Sequence, residues 1–278
     1  MRCERIRLKD EFEFLGKNGA DPVLDVYLPF NMPEMRRENQ KRPCMIVCPG
    51  GGYAFCSQRE AEPIALHFLP EGYNVFVLWY SVAPHRFPTQ LTEVAAVMEL
   101  IYKNNEIWNC DTEKIAIIGF SAGGHLAAHY STVFNCSEVR ALFPESKSVN
   151  ASVLCYPVIS ADPEKGHMGS FENLLGRDFK SEEERDFFSC DKQVGPCTPP
   201  AFLWHTAEDG AVPVVNSLCY AEALAKNKIP VEVHIYPFGN HGLSTSDLQT
   251  LDSENEYTKQ VSSWLPAVKK WLSLIFSR

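Results

Sequence analysis

Residues 114–125 constrain the fold of this chain more than any other stretch. Within them, residues 115–118 form a short apolar run, which is typical of a central parallel strand covered on both faces. Gly-Phe-Ser-Ala-Gly at 119–123 then fits the pattern G-x-S-x-G, in which a serine occupies a sharp strand-to-helix turn. Glycines on either side of Ser121 remove the Cβ atoms that would collide there. We therefore expect the Ser121 hydroxyl to project above the sheet edge; the alternative is a glycine-rich turn of another kind of α/β protein.

The rest of the chain alternates apolar runs with helical patterns. Strands are predicted at 3–8, 22–28, 44–48, 74–80, 115–118, within 149–157, at 201–206 and at 231–236. Helices are predicted at 61–69, 89–104, from the turn at 119–123 to about 133, at 213–226 and at 258–277. This order favours a doubly wound, mostly parallel sheet with two antiparallel strands at its start. Residues 160–199 break the rhythm, and we interpret them as a lid or cap insertion in a single domain spanning 1–278.

Composition and charge exclude some classes of binding partner. Hydrophobic residues make up 45% of the 278 positions and charged residues 22%, as in an ordinary globular protein. The formal net charge of −9 argues against nucleic acid or an anionic membrane as a partner. The chain has no apolar run of about 18 residues, and its charged start does not fit a signal peptide. The oligomeric state is left open.

Ten cysteines are spread along the chain without a C-x-x-C pair or a Cys/His cluster. A zinc site would need such short spacings, so no metal site is expected. Free thiols that act as small core residues are the better interpretation, and they point to a reducing, cytoplasmic location.

A second glycine-rich turn, Pro-Gly-Gly-Gly-Tyr at 49–53, follows the strand predicted at 44–48. Successive glycines let backbone amides approach a ligand closely. If Ser121 is a nucleophile, the amides of Gly51, Gly52 and Ala122 would donate to the oxyanion of a tetrahedral intermediate, an interaction worth about 3–4 kcal/mol per donor. The alternatives are a flexible turn or a phosphate loop, although the chain lacks the usual phosphate-loop spacings.

A nucleophilic serine needs a base, and that base needs an acid to orient it. Asp209 follows the strand at 201–206, and His241 lies in a glycine-flanked loop after the strand at 231–236. Both positions are carboxyl ends of strands, where open α/β sheets place their chemistry. Glu208 is the alternative acid, and either carboxylate would also suit the start of the helix near Pro213.

Seven other histidines compete with His241 for the role of base. Two of them, His125 and His129, lie on the helix after the Ser121 turn and are predicted to pack or to support the site. Two more, His205 and His234, lie inside strands and are predicted to be core residues with satisfied hydrogen bonds. The other three, His67, His85 and His167, lack a motif. His241 alone combines a flexible loop with the order Ser, Asp, His. The sequence therefore predicts a catalytic group of Ser121, Asp209 and His241.

Three segments carry a family resemblance. Residues 119–127, 49–53 and 199–209 resemble the esterase/lipase branch of the α/β-hydrolases. Within it, Asp-Gly-Ala-Val-Pro at 209–213, Asn-Ser at 216–217 and Gly-Asn-His-Gly at 239–242 resemble bacterial acetylxylan-esterase-like carbohydrate esterases. The likeness covers about residues 20–275. One departure is Pro49, because many relatives have histidine before the triple glycine.

The resemblance implies the α/β-hydrolase fold and a serine esterase that needs no metal or cofactor. It implies hydrolysis of short acyl esters, above all acetyl esters, on xylo-oligosaccharides or other acetylated sugars through an acyl-enzyme. Tyr53, beside the oxyanion loop, would either line the acyl pocket or pack in the core. Two alternatives remain open: a general short-chain carboxylesterase or lipase without sugar specificity, and a non-catalytic binding protein of the same fold.

Overall fold

The computed structural model describes residues 1–277 and shows one eight-stranded sheet with helices on both faces. The strands are β1 (Arg2–Arg7), β2 (Val23–Leu28), β3 (Arg42–Cys48), β4 (Asn74–Trp79), β5 (Cys110–Phe120), β6 (Ala151–Cys155), β7 (Ala201–Thr206) and β8 (Val231–Tyr236). The helices are α1 (Leu8–Glu11), α2 (Glu62–Phe68), α3 (Thr89–Lys103), α4 (Ser121–Val133), α5 (Ser137–Arg140), α6 (Met168–Leu175), α7 (Glu182–Phe188), α8 (Val215–Lys226), α9 (Glu256–Ser262) and α10 (Trp264–Ile275).

The strands lie in the order β1-β2-β4-β3-β5-β6-β7-β8. β1 pairs antiparallel with β2, and β2 pairs antiparallel with β4, whereas every later pair is parallel. The predicted architecture, a mostly parallel sheet with antiparallel N-terminal strands, is therefore confirmed. Since β3 to β8 run the same way, their carboxyl ends, and the loops that follow them, meet at one edge of the sheet.

The central strands are buried on both faces, which explains their continuous apolar runs. In β3, Cys44, Ile46 and Cys48 pack into one core cluster, while Met45 and Val47 pack into a second cluster on the opposite face. Successive strand side chains point to opposite faces, so each of the two helix layers covers alternate residues.

The C-terminal helix predicted at 258–277 is two helices, α9 and α10, which meet at Ser263. Pro266 falls in the first turn of α10, where a missing backbone N–H costs little. The side chain of Asn255 caps α9 by accepting the N–H of Thr258 at 3.0 Å. Pro266 is therefore compatible with the start of a second helix at Trp264.

The insertion at 160–199 contains α6, α7 and a short 3-10 helix, Cys190–Gln193. It docks on α4, because His125 and His129 of that helix contact the carbonyl oxygens of Phe188 and Phe187 at 2.9 and 3.1 Å. Within the part of the chain described, none of the helices combines the length and apolar character needed to cross a bilayer.

β5 and α4 approach each other very closely at the turn that joins them. A Cβ atom on Gly119 would lie 2.2 Å from the carbonyl oxygen of Gly123, and one on Gly123 would lie 2.2 Å from that of Cys48. No side chain fits there, because backbone atoms cannot give way as a flexible side chain would. Gly119 therefore allows β5 and α4 to fold back on each other at Ser121, and Gly123 allows α4 to lie against the end of β3.

Replacement of Gly123 by alanine should lower the free energy of unfolding by about 1–3 kcal/mol or more, because the added methyl group overpacks against backbone. Denaturant unfolding measures this change. Gly195→Ala is the matched control, since its added Cβ would meet only a carbonyl oxygen at 4.0 Å. That control should stay within about 0.5 kcal/mol of wild type. Equal stability of the two variants would contradict the close packing.

Candidate active site

Ser121 is the first residue of α4 and follows β5 directly. Its backbone has a positive φ of 54°, a conformation that non-glycine residues rarely adopt and that costs on the order of 1–3 kcal/mol. The side chain lines a cavity of about 680 Å³ although the residue is only 8% exposed. The strained turn predicted from G-x-S-x-G is therefore present, and it aims the hydroxyl into the cavity.

Two loops bring the other predicted residues to this hydroxyl. His241, in the loop after β8, places Nε2 2.8 Å from Ser121 Oγ and Nδ1 2.6 Å from Asp209 Oδ2. Asp209 lies in the loop after β7. The three side chains form one continuous hydrogen-bonded chain, in which Nδ1–H donates to the carboxylate and Nε2 accepts from the serine. Glu208, the alternative acid, is exposed instead.

Four donors hold the carboxylate of Asp209. Oδ1 accepts the backbone N–H groups of Ala211 and Val212, both at 2.9 Å. Oδ2 faces His241 and also His205, whose Nε2 lies 3.2 Å away. Burial by itself would raise the pKa of Asp209, but the hydrogen bonds from His205 and His241 outweigh it and hold that pKa well below its ordinary value. The carboxylate of Asp209 therefore stays ionised over the whole pH range in which a histidine titrates.

His205 has a closer link to the site than the sequence indicated. It is fully buried within β7, as predicted for a core histidine, and its Nδ1 accepts the hydroxyl of Ser217 at 2.8 Å. Its Nε2 donates to the carbonyl oxygen of Val212 at 2.9 Å while facing Asp209. The sequence feature that could have indicated this link is the position of His205 near the end of β7, four residues before Asp209.

The glycine loop after β3 reaches the same cavity. Gly51 and Gly52 line it beside Ser121, with φ values of 129° and 63°. A Cβ on Gly51 would lie 2.1 Å from the carbonyl oxygen of Phe55. The carbonyl of Gly52 accepts from Asn173 Nδ2 at 2.9 Å, which fixes the loop against α6. Ala122 is the second residue of α4, so its N–H is among the helix amides that lack an intrahelical acceptor.

The prediction that Tyr53 lines the substrate pocket is wrong. The residue is only 1% exposed, and the cavity does not reach it. Its hydroxyl lies 2.8 Å from His125 Nδ1, and its ring packs edge-on against Tyr80. The loop turns sharply at Gly52, and the backbone of Tyr53 also has a positive φ of 58°, so its ring points into the core.

The cavity wall mixes polar and apolar groups. Gln58, Arg59 and Glu60 follow the glycine loop, and Phe55 and Val212 supply apolar surface. Charged, amide and apolar side chains therefore line one cavity together with Ser121.

His167 reaches the cavity from the insertion, just before α6. Its Nδ1 lies 2.9 Å from the hydroxyl of Ser170. Burial, together with positive charge on His241, lowers the pKa of His167. Sequence reasoning missed this residue because no local motif surrounds it. Among residues 1–277, no group of three or more His, Cys, Asp or Glu side chains could hold a metal ion.

Comparisons with known proteins agree with this fold. The BD-FAE family model matches residues 24–224. The chain is 36% identical over 254 residues to an endo-1,4-beta-xylanase B from Butyrivibrio fibrisolvens, covering 88% of this chain and 38% of that protein. It is 29% identical over 236 residues to an acetylxylan esterase from Xylanibacter ruminicola, covering 83% and 47%. The chain thus spans less than half the length of these two curated relatives.

Solved structures resemble the chain over nearly its whole length. An acetyl ester-xyloside bifunctional hydrolase from Caldicellulosiruptor lactoaceticus superposes with a TM-score of 0.79 at 35% identity, covering 96% of this chain and 97% of that one. A carboxylesterase from Lactobacillus plantarum gives 0.83 at 26% identity, covering 98% and 97%. The fold and these likenesses place the chain in the α/β-hydrolase class. Within that class, the chain belongs to the BD-FAE family.

Asp209→Asn should leave the fold intact but lower kcat for an aryl acetate by about 10⁴-fold, because an amide favours the wrong tautomer of the base. Steady-state kinetics and thermal unfolding measure the two effects. Asp111→Asn is the control: Asp111 also accepts a backbone N–H two residues on, at 3.1 Å, but it lies near the opposite end of β5 from Ser121. Comparable activity in the two variants would rule out Asp209 as the orienting acid.

Proposed function

We propose that this protein is a serine esterase that hydrolyses acetyl and other short acyl esters on xylo-oligosaccharides or other acetylated sugars. The observation that carries the proposal is the hydrogen-bonded chain Ser121–His241–Asp209 at the wall of a cavity with polar and apolar groups. The acetylxylan esterase and the bifunctional acetyl ester hydrolase among the similar proteins support the same reaction class.

In the acylation half, Ser121 Oγ attacks the carbonyl carbon of the ester while its proton passes to His241 Nε2. The carbonyl π electrons move to oxygen, and the amides of Gly51, Gly52 and Ala122 stabilise the resulting oxyanion. The tetrahedral intermediate then collapses. The bond to the sugar oxygen breaks, and His241 gives its proton to that oxygen, so the sugar leaves as an alcohol and the acetyl group stays on Ser121.

In the deacylation half, water repeats the same steps. His241 takes a proton from water while the water oxygen attacks the acyl carbon, and the bond between that carbon and Ser121 Oγ then breaks. The proton returns to the serine oxygen, and acetate leaves. Asp209 stays ionised throughout and stabilises the imidazolium that forms in each half.

A second cavity favours a sugar chain as the substrate. It measures about 490 Å³ and shares Gln58 and Arg59 with the catalytic cavity as a common wall. Half-buried Trp79 and Tyr27 line it, and the Trp79 indole donates to Asp25 Oδ2 at 2.7 Å. Aromatic rings beside planar polar side chains suit the apolar faces and hydroxyl groups of sugars. A chain of several sugar units could therefore extend from the catalytic cavity.

A general short-chain carboxylesterase is the alternative function. The apolar side chains of Phe55 and Val212 in the catalytic cavity would serve a simple alkyl or aryl ester equally well. The likeness to a carboxylesterase from Lactobacillus plantarum is compatible with that function.

Ser121→Ala should reduce kcat by at least about 10³-fold with no loss of stability, because the nucleophile disappears while its strained backbone stays. Kinetics on an aryl acetate and the melting temperature measure this outcome. Ser131→Ala is the matched control, as Ser131 is a fully buried serine of the same helix whose hydroxyl binds only the carbonyl of Ala127. Near-normal turnover without the Ser121 hydroxyl would overturn the mechanism.

KM for acetylated xylo-oligosaccharides should be lower than KM for an aryl acetate, since the second cavity can hold further sugar units. Octanoyl esters should react at least about 10-fold more slowly than acetyl esters, because Gln58, Arg59 and Glu60 line the catalytic cavity and offer a long alkyl chain few apolar contacts. Matched rate measurements on the three substrates test both statements. Full activity on simple esters and none on sugars would favour the general carboxylesterase.

A further inference from the structure

Glu60 is a buried carboxyl group in the wall of the catalytic cavity, and the reaction steps above do not use it. The residue is 3% exposed. Its Oε2 accepts the N–H of Gly50 at 2.7 Å, and its Oε1 accepts the hydroxyl of Tyr156 at 2.5 Å. Both oxygens therefore accept hydrogen bonds, which suits an ionised carboxylate.

These contacts join the loops that supply the proposed catalytic groups. Gly50 begins the loop that carries the oxyanion amides, and Tyr156 follows β6. The Tyr156 oxygen also accepts the N–H of Ser244, in the loop that carries His241, at 3.0 Å. The tyrosine ring packs edge-on against the His241 imidazole, with their centroids 5.0 Å apart. One carboxylate thus anchors the oxyanion loop and, through Tyr156, the loop and ring of the base.

Glu60 is also close to the nucleophile. A Cβ placed on Gly50 would lie 2.7 Å from Glu60 Oε2 and 3.0 Å from Ser121 Cβ, so both groups border the same point. A charge this near acts on the reaction strongly, because the interior screens it less than water does.

The donors to Glu60 are neutral, so its charge has no direct ion-pair partner in these two contacts. Burial raises the pKa of Glu60, while Tyr156, Gly50 and the charges of His241 and Arg59 act against that rise. The other titratable groups that face it are uncharged thiols and a phenol on neighbouring elements, namely Cys56, Cys155 and Tyr80. A buried carboxylate without a cation costs free energy, unless a positive charge forms beside it.

We propose that Glu60 is a positioning residue and the second carboxylate of the site, holding the oxyanion loop and stabilising the imidazolium form of His241 together with Asp209. The inference rests on the proposed function, because stabilising the imidazolium speeds turnover only if His241 takes up the serine proton. In that step Asp209 acts through a hydrogen bond to Nδ1, whereas Glu60 acts through space and through Tyr156.

Glu60→Gln removes the charge and keeps the shape, so the imidazole should protonate less readily. The acidic limb of the kcat/KM–pH profile should therefore move to lower pH by about 0.5 unit, and the plateau kcat should fall about 10-fold. Glu60→Asp retains the charge and should keep the limb at its wild-type position despite a lower kcat. The pH profiles of wild type and both variants are measured with an aryl acetate.

Glu93→Gln is the matched control. Glu93 is a fully buried carboxyl group that also accepts a backbone N–H and a hydroxyl, both from Ser81 at 2.7 and 2.5 Å, and it does not line the cavity. Its variant should lose stability without moving the acidic limb. An unmoved limb in Glu60→Gln would overturn the proposal, since a purely structural role predicts the behaviour of Glu93.

Tyr156→Phe provides a second test that does not depend on folding of the glutamine variant. It removes the hydroxyl that links Glu60 to the loop of His241, so kcat should fall about 10-fold with KM unchanged. An unchanged kcat would overturn the positioning role. The proposed function is tested separately by Ser121→Ala, because that variant loses turnover whether or not Glu60 contributes.

Discussion

The site depends on the close approach of β5 and α4 around Ser121. Two glycines let backbone meet backbone where any side chain would collide, and the serine between them takes a positive φ. This turn fixes the hydroxyl at the edge where parallel strands end, and the loops after β7 and β8 bring Asp209 and His241 to the same edge. The conformational strain at one residue is offset by the packing of two elements that bury the core on both faces of the sheet.

The charged and polar groups of the site are held in place before any substrate binds. Asp209 is held ionised by two backbone amides and two histidines, so it is ready to stabilise a positive imidazole before substrate binds. Gly51 and Gly52, two of the three residues whose amides we propose as oxyanion donors, adopt backbone conformations that other residues avoid. Glu60, His205 and Tyr156 each have a hydrogen bond to the backbone, which keeps each side chain in one orientation.

Local pattern was sufficient to predict the strands, most helices and the residues now joined as Ser121, His241 and Asp209. The spacing of apolar residues indicates which faces are buried, and G-x-S-x-G indicates a turn that only glycines can flank. Strands, helices and the Ser121 turn can therefore be predicted from the sequence. The pattern failed for Tyr53 because side-chain direction in a positive-φ turn is not encoded by neighbouring residue types. The Glu60–Tyr156 contact and the place of His167 in the cavity depend on segments far apart in the chain, whereas the contacts of His205 are local but belong to no known motif. The single-domain assignment of 1–278 and the cytoplasmic location stay predictions.

Covalent trapping of the nucleophile tests the central claim most directly. An aryl phosphonate that mimics the tetrahedral intermediate is incubated with the enzyme, and the modified peptide is identified by mass spectrometry. The account predicts one adduct, on Ser121, that forms in step with loss of activity and is absent from Ser121→Ala. Complete inactivation by an adduct on any other residue, with Ser121 unmodified, would contradict it.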